Sequence, residues 1–345
     1  MKTAALAASL LAADAGSWPV SAQLPDGGLR EAPDSTPLPE LNMADVIKNY
    51  GLIESAQPAR EFIKGWRRPK KIIVNLDNNT HRLEWLKEVV PPDVQLIGMT
   101  RNDPRYLTEI KDADAVLGGC RKDSFAGIGP NFHWLHNTGV GIDQCFTGGI
   151  VPDKMKTGAV AISNSARLEG NSVAGHSIAV MLALSRALDQ YVRMDETRKF
   201  TTETYPRMWS MQGRVIVVAG FGGVGSGIAV LAHGLGMRVL ATNATIPAQK
   251  PDYVEYIGLP DELGKLVGQA DVVATALPLT PQTQGLFNAE MFAKFKKGAI
   301  FINMTRGEEQ VDADVAAALK SGQLSSAGFD IIENNSPLWD AKNVI

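Results

Sequence analysis

The sequence predicts an α/β protein made of two parallel-sheet domains joined by a long helix, and three observations carry that reading. Short apolar stretches alternate with amphipathic ones along most of the chain. The short stretches are apolar on both faces, as strands covered on each side by helices are. The alternating series also occurs twice, once on each side of a proline-free helical stretch at residues 171–198. A length of 345 residues suits two domains, each large enough to bury its own core.

Composition narrows the function classes. Lys plus Arg total 34 against 37 for Asp plus Glu, a formal net charge of −3 with no long basic run, which argues against nucleic acid as the partner. The 33 glycines and 19 prolines follow no period, so collagen-like and low-complexity classes are out. Cys120 and Cys145 are the only cysteines, too few for a disulfide framework or a cysteine-built zinc site, and both read as small buried apolar residues. No metal site is expected.

The first 22 residues place Lys2 before a small apolar run and end in Val20-Ser21-Ala22, a small-residue cleavage site before Gln23. This layout fits a secretory signal peptide, interrupted by Asp14, or else a disordered alanine-rich extension. The protein is periplasmic or exported on the first reading and cytoplasmic on the second. Residues 23–69 read as a linker and N-terminal extension, Pro- and Gly-rich up to about residue 39, with a short helical piece at 43–55. No later segment approaches the roughly 18 apolar residues of a membrane span.

The first domain is expected over residues 70–170. Its strands are Lys71-Ile72-Ile73-Val74, Gln95-Leu96-Ile97-Gly98, Ala115-Val116-Leu117, Trp134-Leu135-His136 and Val160-Ala161-Ile162, with helices at 81–90 and 105–111. Residues 171–198 keep a helical apolar period and are expected to bridge the domains. The second domain, 171–345, has strands at Val215-Ile216-Val217-Val218, Val239-Leu240, Val272-Val273-Ala274, Ile300-Phe301-Ile302, Ala327-Gly328-Phe329 and Asn343-Val344-Ile345.

The sharpest local signal is Gly220-Phe221-Gly222-Gly223-Val224-Gly225, directly after a strand and directly before the helical run 228–235. A strand that feeds a glycine turn into a helix lets the backbone approach a pyrophosphate with no Cβ in the way, and the helix start turns free N–H groups toward it. Nucleotide binding by Gly220, Gly222, Gly223, Val224 and Gly225 is therefore expected; a tight turn of a ligand-free sheet is the bland alternative. An acid about 20 positions on would hold the ribose 2′-OH of NAD. The corresponding strand end carries Asn243, which can bond a hydroxyl and does not repel a 2′-phosphate, so NAD and NADP are both allowed.

From about residue 70 onward the chain resembles the D-isomer-specific 2-hydroxyacid dehydrogenases. The matching segments are Asn137-Thr138-Gly139-Val140-Gly141-Ile142-Asp143, Asn171-Ser172-Val173-Ala174-Gly175-His176, the glycine turn, Leu277-Pro278-Leu279-Thr280-Pro281-Gln282-Thr283, Ile302-Asn303-Met304-Thr305-Arg306-Gly307, and 319–330. The resemblance implies Rossmann-like and flavodoxin-like domains, an NAD or NADP cofactor, and hydride transfer between it and a small 2-oxoacid or D-2-hydroxyacid. It assigns Arg306 to the substrate carboxylate and carbonyl, Gly118 and Gly119 to the carboxylate through backbone amides, and Asp330 to the nicotinamide carboxamide. Leu277, Pro278, Thr283 and Met304 would line the cofactor. A homodimer formed through the 171–198 helix is implied as well.

Two departures from the family pattern stand out. Asn335 occupies the position of the family glutamate that supports a catalytic histidine, and Glu333 is a substitute if the shorter loop shifts the register. Residues 338–345 resemble the segment just before the family's Thr-Pro-His, so the acid–base histidine would follow Ile345, and the chain reads as truncated. His133, His136 and His176 read as structural. The rival reading is a catalytically silent dinucleotide-binding sensor or scaffold.

Overall fold

The computed structural model describes residues 66–76, 82–100, 102–119, 127–146, 158–202 and 208–345. The expected signal peptide, most of the extension, the helical piece at 43–55, His81 and Cys120 lie outside these residues. The chain divides into two compact units, Met1–Glu169 and Gly170–Ile345.

The elements follow the predicted alternation. In the first unit they are β1 (Lys71–Asn75), α1 (Arg82–Val89), β2 (Gln95–Met99), α2 (Tyr106–Glu109), β3 (Ala115–Gly118), β4 (Trp134–Asn137) and β5 (Ala161–Ser163). In the second they are α3 (Gly170–Ser185), α4 (Leu188–Thr197), β6 (Val215–Ala219), α5 (Gly223–Gly234), β7 (Arg238–Thr242), β8 (Tyr256–Gly258), α6 (Leu263–Leu266), β9 (Val272–Thr275), α7 (Ala289–Ala293), β10 (Ala299–Asn303), α8 (Asp312–Ser321) and β11 (Leu324–Phe329).

The first sheet has the order β2-β1-β3-β4-β5 and all its strand pairs are parallel. This is the flavodoxin-like winding. Ile73, Val116 and Leu135 face one core and Ile72, Val74, Ala115 and Leu117 another, so both faces are covered. The second sheet runs β11-β10-β9-β6-β7-β8, again fully parallel, and its order reverses between β6 and β9. That is the six-stranded dinucleotide-binding winding, with its crevice at the reversal. Ile216 and Val218 pack on one face, while Val215, Val217 and the ring cluster of Phe287, Phe292, Phe295 and Phe301 pack on the other.

Asp271 fastens the amino ends of three neighbouring strands. Its carboxylate accepts from the Val215 N–H at 2.9 Å, from Lys296 Nζ at 2.6 Å and from Arg214 at 3.1 Å. Burial of this side chain works against its charge, but these donors outweigh the burial and hold the carboxyl below the usual aspartate range.

Three expectations need correction. Residues 171–198 form two helices rather than one: α3 ends at Ser185, and Ala187 takes a left-handed φ of 52° before α4 begins. Ala187 is fully buried, and Trp209 N–H bonds the Ser185 carbonyl, so packing closes the first helix where side-chain period alone would continue it. β8 is an unforeseen strand of three residues. Cys145 is buried, as expected, but its sulfur is in a disulfide rather than a free thiol. The final segment does run parallel beside β11 as expected: Ala327 N–H bonds the Asn343 carbonyl, Ile345 N–H the Ala327 carbonyl and Phe329 N–H the Ile345 carbonyl.

Candidate functional site

The carboxyl ends of the second sheet collect most of the predicted residues. Strand register places Ala219 beside Thr242 and Thr275, and Asn303 beside Thr275 and Phe329. The residues that leave these ends therefore share one edge: Gly220, Asn243, Ala276, Met304 and Asp330. Arg306 follows a strand end two strands from the glycine turn, roughly 10 Å across the sheet.

Each glycine of the turn has its own geometric reason. Gly220 has φ +95°, and a Cβ there would sit 2.5 Å from the Ala276 carbonyl oxygen. A Cβ on Gly225 would lie 1.9 Å from the Gly220 carbonyl oxygen, so the helix could not close onto the strand. A Cβ on Gly222 would meet nothing, which leaves its outer side open. Gly222 is also the N-cap of α5 and carries no capping side chain, and the first N–H groups of any helix have no intrahelical acceptor. Val224 is buried against the core. One close turn, one open approach and one tight helix contact fit a pyrophosphate, and through it a dinucleotide.

Asn243 serves the turn itself. Its Oδ1 accepts from the Phe221 N–H at 3.3 Å, and its Nδ2 donates to the Thr245 carbonyl at 2.8 Å. The side chain is thus oriented at the position expected for the ribose. Across the crevice, the loop after β9 is clasped by two threonines. Thr283 Oγ1 donates to the Pro278 carbonyl at 2.7 Å and accepts from the Thr280 N–H at 2.8 Å, which fixes the shape of the Leu277-Pro278 segment. Met304 is buried, with its side chain in the core on one face of the sheet.

Arg306 is half-buried. Its Nη1 donates to the Thr305 carbonyl at 2.9 Å, while Asn303 Nδ2 donates to the Arg306 carbonyl at 2.8 Å. Asp330 Oδ1 lies 3.6 Å from His176 Nε2, and both side chains are half-exposed. Glu333 and Asn335 sit exposed on the turn that follows β11.

In the first unit, Gly118 ends β3 with no room for a Cβ, which would fall 2.4 Å from that of Asn75; Gly119 has space around it. His133 places its ring nitrogens 2.8 Å from the Asn131 and Arg67 carbonyls, and His136 Nδ1 lies 2.9 Å from Ser163 Oγ. Both rings are buried in packing roles. Among the described residues no cluster of histidine, cysteine, aspartate and glutamate could hold a metal ion, and no helix is long and apolar enough to cross a membrane.

One residue was not singled out in the sequence. Glu309 is fully buried below the Arg306 loop, and the hydroxyls of Thr275 and Thr305 lie 2.7 and 3.0 Å from its Oε2. Burial raises its carboxyl to about 7, against the hydrogen bonds of Thr275 and Thr305 and the charge of Arg306. A pair of glutamates after Arg-Gly reads as a solvated turn, so nothing in the sequence signals this burial.

Comparison with known proteins bears on the second unit most directly. Residues 178–345 match the model for the D-isomer specific 2-hydroxyacid dehydrogenase, NAD binding domain. The second unit therefore carries the NAD binding domain of this family. It is 31% identical over 201 residues to a hydroxypyruvate reductase of Blautia hydrogenotrophica and 33% identical over 199 residues to a glycerate dehydrogenase of Methylorubrum extorquens. Each alignment takes in 55% of this chain, and they span 61% and 60% of those two proteins. The chain thus matches about three-fifths of the length of these curated relatives. A glyoxylate reductase structure from Paecilomyes thermophila superposes with a TM-score of 0.69 at 21% identity, covering 81% of this chain and 88% of that one. At that identity the likeness concerns the fold, and it supports the two windings described above.

Proposed function

We propose that this chain transfers a hydride between NAD or NADP and C2 of a small 2-oxoacid or D-2-hydroxyacid. The observation that carries the reading is the open approach at Gly222 together with Arg306 on one edge of one sheet, at the point where strand order reverses. When bound, the nicotinamide supplies the hydride chemistry. The chain's own residues do the holding. The backbone from Gly220 to Gly225 takes the pyrophosphate, Asn243 the adenosine ribose, the Leu277-Pro278 loop the second ribose, and Asp330 the carboxamide.

Arg306 is suited to the acid. A guanidinium is charged at any working pH, and its fork matches a carboxylate in two parallel hydrogen bonds. The same charge polarises a neighbouring carbonyl toward hydride acceptance. Asn243 in place of an acid leaves both NAD and NADP acceptable, since no carboxylate repels a 2′-phosphate. Glyoxylate and hydroxypyruvate are the substrates that the named relatives point to.

The test is a fluorescence titration with NADH and NADPH, followed by reduction of glyoxylate, hydroxypyruvate and pyruvate monitored as loss of the reduced cofactor. Saturable binding and turnover on one of the acids support the reading. Binding without turnover on any acid would favour a dinucleotide sensor, and no binding would remove both.

We also propose that the protein is exported. The signal-like residues 1–22 motivate this, and the Cys145 disulfide supports it, because disulfides persist in oxidising compartments. Mass spectrometry of the mature protein should find Gln23 at the amino terminus and no free thiol; an intact Met1 in a cytoplasmic fraction would overturn it.

A further inference from the structure

Glu309 has no part in the scheme above, yet it is the most deeply buried carboxyl group among the described residues and it lies against the substrate-arginine loop. Its surroundings fix its protonation by proton counting. Asn303 Nδ2 donates both to the Arg306 carbonyl at 2.8 Å and to Gln310 Oε1 at 2.7 Å, so the Asn303 amide is oriented with Oδ1 as an acceptor. That Oδ1 takes the Thr305 N–H at 3.0 Å and lies 2.8 Å from Thr305 Oγ1. Thr305 Oγ1 is also 3.0 Å from Glu309 Oε2.

A threonine hydroxyl has one proton. Thr305 Oγ1 therefore cannot donate to Asn303 Oδ1 and to an ionised Glu309 together. If Glu309 carries a proton on Oε2, every contact is satisfied at once: Glu309 donates to Thr305, Thr305 to Asn303, and Thr275 to Glu309. Glu309 Oε1 is buried with no hydrogen-bond partner, a position suited to the carbonyl of a neutral acid and costly for half of a carboxylate. The upward displacement of this carboxyl by burial agrees with the count.

We propose that Glu309 is a positioning residue that holds the Arg306 loop in its protonated form, and that its ionisation weakens the binding of a 2-oxoacid carboxylate at Arg306. Protonated, it ties the end of β9 at Thr275 to the Thr305-Arg306 segment through a fully matched chain of donors. Ionised, it breaks that chain at Thr305 and places a second negative charge beside the guanidinium. The charged groups acting on Glu309 are Arg306 and Glu308 from its own segment, with Asp312 of α8 reached through Gln310; β9 and β10 present Thr275 and Asn303, which do not titrate. The inference rests on the functional reading above for the identity of the ligand at Arg306.

The experiment compares the wild-type chain with Glu309→Gln at pH 6 and pH 8. Infrared spectra report the protonated carboxyl directly, and titration of glyoxylate into the NAD(H)-loaded protein reports binding. The expected result is a protonated-carboxyl band in the wild type at pH 6, lost at pH 8 and absent from E309Q. Wild-type affinity for glyoxylate should fall about fivefold more between the two pH values than that of E309Q, the low end of ordinary coupling between sites. An infrared spectrum unchanged by E309Q at pH 6 overturns the protonated state. A band that titrates alongside equal pH dependence of binding overturns the coupling to Arg306. If NAD(H) binds and neither protein takes up a 2-oxoacid, the substrate reading fails and the proposal falls with it, recognisably, because the infrared arm still succeeds.

Discussion

His176 Nε2 stands 3.6 Å from Asp330 Oδ1, which joins the first turns of α3 to the carboxyl end of β11. The pair sets an imidazole beside the carboxylate expected at the nicotinamide carboxamide. Because both side chains are half-exposed, the contact adds little to global stability. Replacing His176 by alanine should therefore leave the thermal midpoint within a degree or two and weaken NADH binding by about threefold. A fluorescence titration of H176A measures this, and an unchanged dissociation constant would show that Asp330 needs no such support.

The glycine turn separates shape from function cleanly. Gly222→Ala adds a methyl group that meets no protein atom but occupies the approach to the open helix start. It should lower cofactor affinity by about tenfold or more with little change in stability. Gly225→Ala drives a methyl group to 1.9 Å from the Gly220 carbonyl oxygen. That clash involves backbone and should cost about 3 kcal/mol of folding stability, the range of an overpacked core. Denaturant unfolding and NADH titration of the two variants distinguish the outcomes, and equal stability loss in both would contradict the assignment of an open side to Gly222.

These two variants also show why the turn was legible in the sequence. A glycine with φ +95° and another packed on a carbonyl oxygen accept no other residue, so the residue types themselves record the geometry. The apolar strands were legible for a related reason: strands buried on both faces carry apolar residues on both. What the sequence does not record is tertiary. Ala187 is an excellent helix former held in a left-handed conformation by packing, so the break between α3 and α4 leaves no trace in composition or period. β8 has three residues and an exposed Tyr256, too short for any alternation. Glu309 is charged and neighbours another glutamate, and only the 3₁₀ turn Gly307–Glu309 carries it inward beneath Arg306.

Arg306 yields a prediction specific to the substrate. Arg306→Lys keeps the charge and loses the two-pronged geometry, so lysine should not restore what alanine removes. Both variants should bind NADH like the wild type, and both should raise the KM or dissociation constant for glyoxylate by at least about tenfold. A loss of NADH binding in R306K would instead place this arginine in the cofactor site.

Asp271 and Glu309 pull the pH dependence of stability in opposite directions. Asp271 is depressed in the folded protein, so it contributes stability above the unfolded aspartate range near 3.8 and loses it as pH falls through its lower folded value. Glu309 is raised, from 4.5 to about 7. Between those values the folded protein binds a proton that the unfolded chain has released. Stability therefore falls as pH rises from about 4.5 to about 7, and the loss is complete above that. A displacement of this size corresponds to about 3 kcal/mol at one pKa unit per 1.36 kcal/mol. Glu309→Gln cannot ionise, so its denaturation midpoint should be flat over that window and should exceed the wild-type midpoint at pH 8. Asp271→Asn should leave the slope between pH 4.5 and 7 intact while lowering stability throughout it. Urea unfolding of the three proteins at half-unit pH intervals measures both effects, and a wild-type curve that rises from pH 5 to 7 would contradict the buried neutral state of Glu309.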